Sequence, residues 1–253
     1  MPTLQGGTLP TETLGLIGTG MIGSRLAKLA TNAGINVLLS NSRGPESLTE
    51  MTAELGPRAR AVSAAQVAAE ADLVVATIPL HAYRSLSTVD LAGKIVIDTM
   101  NYYPERDGRL AALDELRFTS SSLVQDHLAD SRVVKAFNTL GYASLANGSR
   151  PPGSTERLTV PIAGNDREAK QQVISLINKL GFDILDTGDL RDSWRIEPGT
   201  PIYVTAYIPP IPGGMDRQAQ HLWYLTAPTV PVPIDRAREL VAAAIRGSAG
   251  GTL

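Results

Sequence analysis

The apolar positions fall into short blocks separated by polar turns, and the blocks alternate between two periods. Leu14, Leu16 and Ile17 make a brief apolar run. After Gly18-Thr19-Gly20, the residues Met21, Ile22, Leu26, Leu29 and Ala30 recur on one helical face, which Ala33-Gly34 closes. This pattern predicts a buried strand, a glycine turn and a helix. Further strands are expected at 35–39, 58–62, 72–79, 94–98 and 132–137. Helices are expected at 46–55, 63–69 and 120–127. Such alternation over about 125 residues implies a parallel sheet covered by helices on both faces.

The glycine and proline cluster at 147–154 marks a boundary. Beyond it the pattern resumes with a strand at 158–163. A helix follows, with Asn165 and Glu168 as its capping box and Val173, Leu176, Ile177 and Leu180 as its apolar stripe. Gly181 ends that helix, and a strand at 182–185 follows, so this unit is expected to extend the same sheet. Eight of the 17 prolines lie between 198 and 233, which disfavours long regular elements there. A short helix at 216–223 and a last one carrying Ile234, Ala237, Leu240, Val241, Ala244 and Ile245 complete the chain, with Gly247 as its stop. The expected fold class is α/β, a doubly wound Rossmann sheet with a small C-terminal extension or cap. Residues 13–150 would form the dinucleotide-binding domain, and 151–253 the sheet-completing and C-terminal substrate or cap region.

The glycine turn carries the first chemistry. Gly18-x-Gly20-x-x-Gly23 between a strand and a helix is the arrangement that binds a dinucleotide pyrophosphate. Gly18 permits the turn, Gly20 lets the phosphates approach the backbone, and Gly23 lets the helix lie on the strand. Free N–H groups at the helix start then meet the negative charge. A tight turn without a ligand would use the same residues. The loop after the second strand, Ser40-Asn41-Ser42-Arg43-Gly44, lacks the acid that would hold a ribose 2′-hydroxyl. Ser42 and Arg43 offer instead a hydroxyl and a fixed cation for a 2′-phosphate, favouring NADP over NAD. Ser42 and Arg43 would equally suit an ordinary solvated loop.

Composition narrows the classes. The 253 residues, 43% hydrophobic, suffice for a sizeable core, and a net charge of −2 gives no basis for nucleic-acid binding. There is no cysteine, which removes disulfides and thiolate catalysis, and three scattered histidines suggest no metal site. The opening Met-Pro-Thr-Leu-Gln-Gly-Gly lacks the regions of a signal peptide, and no apolar run reaches the length of a membrane span. A cytoplasmic location without membrane partners is therefore expected.

Several motifs stand together in one order: Gly18-Thr-Gly-Met-Ile-Gly23, Ser42-Arg43, Thr77-Ile-Pro79, Val133-Val-Lys-Ala-Phe-Asn-Thr139, Ile162-Ala-Gly-Asn-Asp166 and Glu197-x-x-Thr200-Pro201. In this the chain resembles the NADP oxidoreductases that use the deazaflavin coenzyme F420, over roughly residues 13 to 205. The resemblance implies a Rossmann domain, a small C-terminal part and a homodimer. It also implies hydride transfer between NADP and F420 across a cleft. Thr19, Met21 and Ile22 would contact the pyrophosphate, Ser42 and Arg43 the 2′-phosphate, and Ile78, Pro79 and Ala136 the dinucleotide groove. Asn138 stands where some deazaflavin enzymes of this family place a histidine beside the reacting rings. Ser47 stands where a basic residue can help hold the 2′-phosphate. The Lys-Ala-Phe-Asn stretch also resembles the cytosolic domain of the six-transmembrane metalloreductases.

Asn138 is the candidate catalytic residue, expected to orient the nicotinamide or the substrate rather than to move a proton. Tyr102 and Tyr103 follow a strand end and could line the substrate pocket, although packing at a loop explains them as well. Arg195 and Glu197 belong to a charged run that is either a solvated face or, by family analogy, a wall of the second site. His81 follows the Thr-Ile-Pro strand, while His127 and His221 sit in expected helices. Three functions fit: an NADP-dependent deazaflavin oxidoreductase, an NADPH-dependent reductase of a small carbonyl, imine or flavin, and a non-catalytic NADP-sensing protein.

Overall fold

The computed structural model describes residues 12–251, so all of the polar lead-in except Glu12 lies outside the described residues. Eight strands form one sheet: β1 (Thr13–Ile17), β2 (Asn36–Ser40), β3 (Ala59–Ala61), β4 (Leu73–Ala76), β5 (Ile95–Asp98), β6 (Arg132–Lys135), β7 (Thr159–Gly164) and β8 (Asp183–Asp186). Their order is β3-β2-β1-β4-β5-β6-β7-β8. The first six are parallel, so six carboxyl ends share one edge. β7 then runs antiparallel to β6, and β8 runs parallel to β7. The later unit does extend the sheet, but in the opposite direction. Every residue of β4, β5 and β7 is buried, as expected for strands covered on both faces.

The helices are α1 (Met21–Asn32), α2 (Thr49–Leu55), α3 (Ala64–Glu70), α4 (Pro104–Asp107), α5 (Ala111–Asp114), α6 (Ser120–His127), α7 (Tyr142–Asn147), α8 (Arg167–Lys179), α9 (Arg217–Thr226) and α10 (Ile234–Ala242). Capping boxes start α3 and α6: Ser63 with Gln66, and Thr119 with Ser122. α1 buries Gly23, Leu26, Ala27 and Ala30, a stripe at helical spacing that lies on the sheet.

Three expectations need correction. The helix at 46–55 is interrupted, because Pro45 opens a 3₁₀ turn over Pro45–Leu48 and the α-helix starts only at Thr49. Asn165 does not cap α8; its side chain accepts from the Leu190 N–H, and Asp166 caps the helix by accepting from Ala169 N–H. The last helix ends at Ala242, and Ile245, placed on its buried face, is 89% exposed. Here the backbone leaves the helix one turn before the apolar pattern does.

The proline-rich stretch is packed onto the end of the sheet. Tyr207 is fully buried, and its hydroxyl donates to the Thr159 carbonyl at 2.8 Å. A buried phenol with its hydroxyl satisfied ties the segment to β7 through both packing and a hydrogen bond. Val204 N–H donates to the Thr139 carbonyl at 2.9 Å, so the same stretch is also fixed just past β6.

Candidate functional site

The glycine turn after β1 is shaped as its spacing requires. Gly18 has φ +106°, and a Cβ there would lie 2.3 Å from the Thr77 carbonyl oxygen. A Cβ on Gly23 would lie 2.4 Å from the Gly18 carbonyl oxygen, so both positions exclude any side chain. Gly20 is different: a Cβ there meets nothing within 4 Å. The space before it is open. Gly20 also begins α1 without any side-chain cap, leaving the first-turn N–H groups available. An open cradle at an uncapped helix N-terminus fits a pyrophosphate.

The loop after β2 is held by the side chain of Asn41. Its amide donates to Ser47 Oγ (3.0 Å) and, more weakly, to Thr19 Oγ1 (3.4 Å), and its carbonyl accepts from Arg43 N–H (2.9 Å). Ser47 Oγ also donates to the Gly44 carbonyl at 2.7 Å, so Ser47 shapes the loop. Ser42 and Arg43 are left exposed at its tip, and Arg43 makes no ion pair among the described residues. A fixed cation and a hydroxyl beside the glycine turn fit a 2′-phosphate.

From the glycine turn a groove of about 460 Å³ runs along the carboxyl edge of the sheet. Gly20, Met21 and Ile22 line one end, Ile78 and Pro79 the middle, and Asn101, Phe137 and Asn138 the far side. Phe137 has φ +61°, an unusual conformation for an aromatic residue, which turns the chain sharply after β6. Ala136, expected in the groove, is instead fully buried within the sheet and donates its N–H to the Asp98 carbonyl.

Asn138 is 3% exposed and firmly oriented. Its Nδ2 donates to Asn101 Oδ1 (3.1 Å) and to the Ile196 carbonyl (2.6 Å). Its Oδ1 is buried and has no partner. With both amide hydrogens committed, the amide of Asn138 is fixed in orientation. Leaving its carbonyl buried and unpaired costs roughly 1–3 kcal/mol.

A second space of about 790 Å³ adjoins the groove. Tyr103, Tyr203, Val204, His221 and Tyr224 line both, and Pro198, Thr200, Arg217 and Gln220 line the second alone. Tyr103 and Tyr203 are hydrogen-bonded hydroxyl to hydroxyl, and Asn101 Nδ2 donates to Tyr203 Oη at 3.2 Å. Burial pushes both phenols above the ordinary tyrosine range, so both are neutral. The Arg106 guanidinium lies 4.9 Å over the Tyr103 ring. Between the two spaces Val204 holds φ +40° and ψ −59°, and Thr205 N–H donates back to the Tyr203 carbonyl. A β-branched residue in this strained γ-turn persists only where its surroundings fix it.

A buried polar network supports this far wall. Lys135 is fully buried, and its Nζ donates to the Met100 carbonyl (3.1 Å), Ser120 Oγ (3.0 Å) and Ser121 Oγ (3.0 Å). Asp98 lies 3.8 Å from that ammonium and accepts from Ser121 Oγ. Glu197 Oε1 accepts from Ser120 N–H (2.8 Å) and Ser120 Oγ (2.7 Å). Glu197 thus fastens the proline-rich segment to the start of α6.

Several expected site residues are placed elsewhere. Glu197 lines neither space, because its carboxylate is spent on Ser120. Tyr102 is 2% exposed and points inward: its hydroxyl donates to the Gly108 carbonyl or to Asp114 and accepts from Leu110 N–H. Arg195 stacks 4.3 Å from the Trp194 ring and lines a depression with Leu185, Asp186 and Arg238, apart from the groove. His81 pairs with Asp107 at 3.0 Å, and His127 Nε2 lies 3.0 Å from the Leu86 carbonyl. Thr19 stays within the glycine turn, between Gly18 and Gly20, with its Oγ1 3.4 Å from Asn41 Nδ2. Tyr203, Tyr224 and Asn101 were not singled out by sequence reasoning, and His221 only as a helical histidine. Among the described residues no cluster of three or more potential ligands could hold a metal, and no helix is long and apolar enough to cross a membrane.

Fold and groove together define a Rossmann-type dinucleotide-binding protein. Residues 13–102 match the family described as NADP oxidoreductase, coenzyme F420-dependent. A hypothetical protein from Sinorhizobium meliloti, of solved structure, is 34% identical over 76% of this chain and 92% of its own, with a TM-score of 0.67. The F420-dependent NADP reductase of Methanocaldococcus jannaschii is 31% identical over 54% of this chain and 62% of its own length. Metalloreductase STEAP3 of Rattus norvegicus is 30% identical over 73% of this chain and 35% of its own length. Over residues 13–102 the chain is thus similar to the F420-dependent family of NADP oxidoreductases. It spans about a third to three-fifths of the length of these two curated relatives.

Proposed function

We propose that this protein transfers hydride between NADP(H) and an organic second substrate seated in the adjoining space. Residues 13–150 hold the dinucleotide, and 151–253 complete the sheet and supply the cap. The open cradle before Gly20, in line with the exposed Ser42 and Arg43 and with Asn138 at the other end, carries this reading. The nicotinamide supplies the hydride chemistry when bound. The chain's own task is positioning, which is most of what hydride transfer asks of a protein. Asn138 lines the end of the groove and orients the nicotinamide or the substrate there, and the five side chains shared by the two spaces bring the two ligands together.

The name of the methanogen relative supports deazaflavin F420 as the second substrate, and the aromatic lining of the larger space suits a planar ring system. A small carbonyl, imine or flavin is the second reading, favoured by Asn138 standing in place of a histidine. The test is spectroscopic. Oxidation of NADPH and NADH is followed with oxidised F420, then with a carbonyl, imine and flavin panel. NADPH should be preferred. If NADPH binds but no acceptor is reduced, the protein is a sensor of NADP and the catalytic reading is wrong.

A further inference from the structure

The two tyrosines at the junction of the groove and the larger space have a hydrogen-bond inventory that leaves one proton over. Tyr203 Oη accepts from Asn101 Nδ2, and that amide's carbonyl in turn accepts from Asn138. Tyr103 and Tyr203 share one hydrogen bond between their hydroxyls. Each phenol carries one hydrogen. If Tyr103 donates to Tyr203, the Tyr203 hydrogen is free; if Tyr203 donates, the Tyr103 hydrogen is free. In either case one O–H has no acceptor among the described residues, and both side chains line both spaces. Asn101 links the pair to Asn138, whose amide is buried. The junction therefore presents one hydroxyl donor to whatever sits against the nicotinamide end of the groove.

We propose that the Tyr103–Tyr203 pair is the proton donor of the reaction, and that the second substrate is a hydride acceptor whose carbon is bonded or conjugated through a double bond to oxygen or nitrogen. This rests on the hydride-transfer reading above. Hydride adds to the acceptor carbon, and the π pair moves onto the heteroatom. The tyrosine O–H bond breaks as the new O–H or N–H bond forms. The resulting tyrosinate recovers a proton from water by way of its partner hydroxyl. The products are oxidised nicotinamide and an alcohol, an amine or a reduced deazaflavin. The Asn101 N–H and the Arg106 cation over the Tyr103 ring both favour the transient tyrosinate. One-electron reduction of a metal ion needs no such proton, so this device sets the site apart from metal reduction.

The other charged or titratable groups facing the pair are Arg106 and Asp107 from α4, and Arg217, His221 and Tyr224 from α9. The experiment compares wild type, Tyr203→Phe and Tyr103→Phe, with F420 in one arm and carbonyl and imine acceptors in the other. General acid catalysis contributes about 10²- to 10⁴-fold. Tyr203→Phe should lose a factor in that range in kcat, with NADPH affinity by nicotinamide fluorescence and Tm near wild type. Its residual rate should rise as pH falls, with solvent hydronium replacing the lost acid, and the solvent isotope effect of wild type should vanish. Tyr103→Phe, which keeps the Asn101 contact on Tyr203, should lose less. In the apoprotein, ultraviolet titration should show tyrosines ionising above the ordinary range, and Tyr203→Phe should remove part of that late absorbance. If both variants turn over within threefold of wild type with unchanged pH profiles, the tyrosines are not the donor while hydride transfer stands. If wild type reduces a flavin but no acceptor in either arm, this proposal falls while hydride transfer stands; if it reduces none of them, both readings fall together.

Discussion

The two ends of the groove are built in opposite ways. At the glycine turn the proposed recognition surface is backbone, made by residues within a few positions of one another, and it is open because side chains are missing. At the far end it is side chain, assembled from Asn101, Tyr103, Asn138, Tyr203, Val204, His221 and Tyr224. These come from four separate stretches, and a buried network from Asp98 to Glu197 holds their supports together. The first end is stable by geometry alone. The second depends on buried polar groups that are satisfied only as a set, so one loss propagates.

The sharpest way to break this contrast is Lys135→Met. It leaves Asp98 buried without its counter-ion, which costs about 3–5 kcal/mol. Denaturant unfolding should show that loss together with a collapse of turnover. A change below about 1 kcal/mol would mean that the far wall does not rest on the network. Gly20→Val probes the other end. Its Cβ has open space, so Tm should hold nearly steady while NADP affinity falls more than a hundredfold by fluorescence titration. Undiminished affinity would remove the glycine turn from the site. Arg43→Ala should weaken NADP about ten- to a hundredfold, the value of a charge-assisted phosphate contact of roughly 1.5–3 kcal/mol. NAD should be unaffected, and equal losses for both dinucleotides would refute the assignment. The smallest effect on binding is expected from Asn138→Ala: two neutral hydrogen bonds are lost, turnover falls by roughly ten- to a hundredfold, and NADP affinity stays within a fewfold. A large affinity loss with normal turnover would reverse its role.

The contrast also explains what could be read from the chain beforehand. The sheet and its glycine turn were legible because period and spacing are local properties. The reversed direction of β7 was not, since an apolar run says nothing about which way a strand points. Tyr102 and Tyr103 are neighbours with opposite fates. One is enclosed by Gly108, Leu110 and Asp114 and the other faces the groove, a difference fixed by a loop and not by strand alternation. Tyr203 escaped notice because its partner is Tyr103, a hundred positions away in sequence. Glu197 was noticed, but its carboxylate has an internal use on Ser120 that spacing could not reveal.

The absence of a partition between the two spaces has a kinetic consequence. Five side chains belong to both, so on the proposed function the two ligands lie against each other and are present at once. With no cysteine in the chain to store reducing equivalents as a thiol pair, the natural course is a ternary complex. Initial-rate plots at several fixed acceptor concentrations should then intersect instead of running parallel. Product dinucleotide should also slow the release of whichever ligand entered deeper.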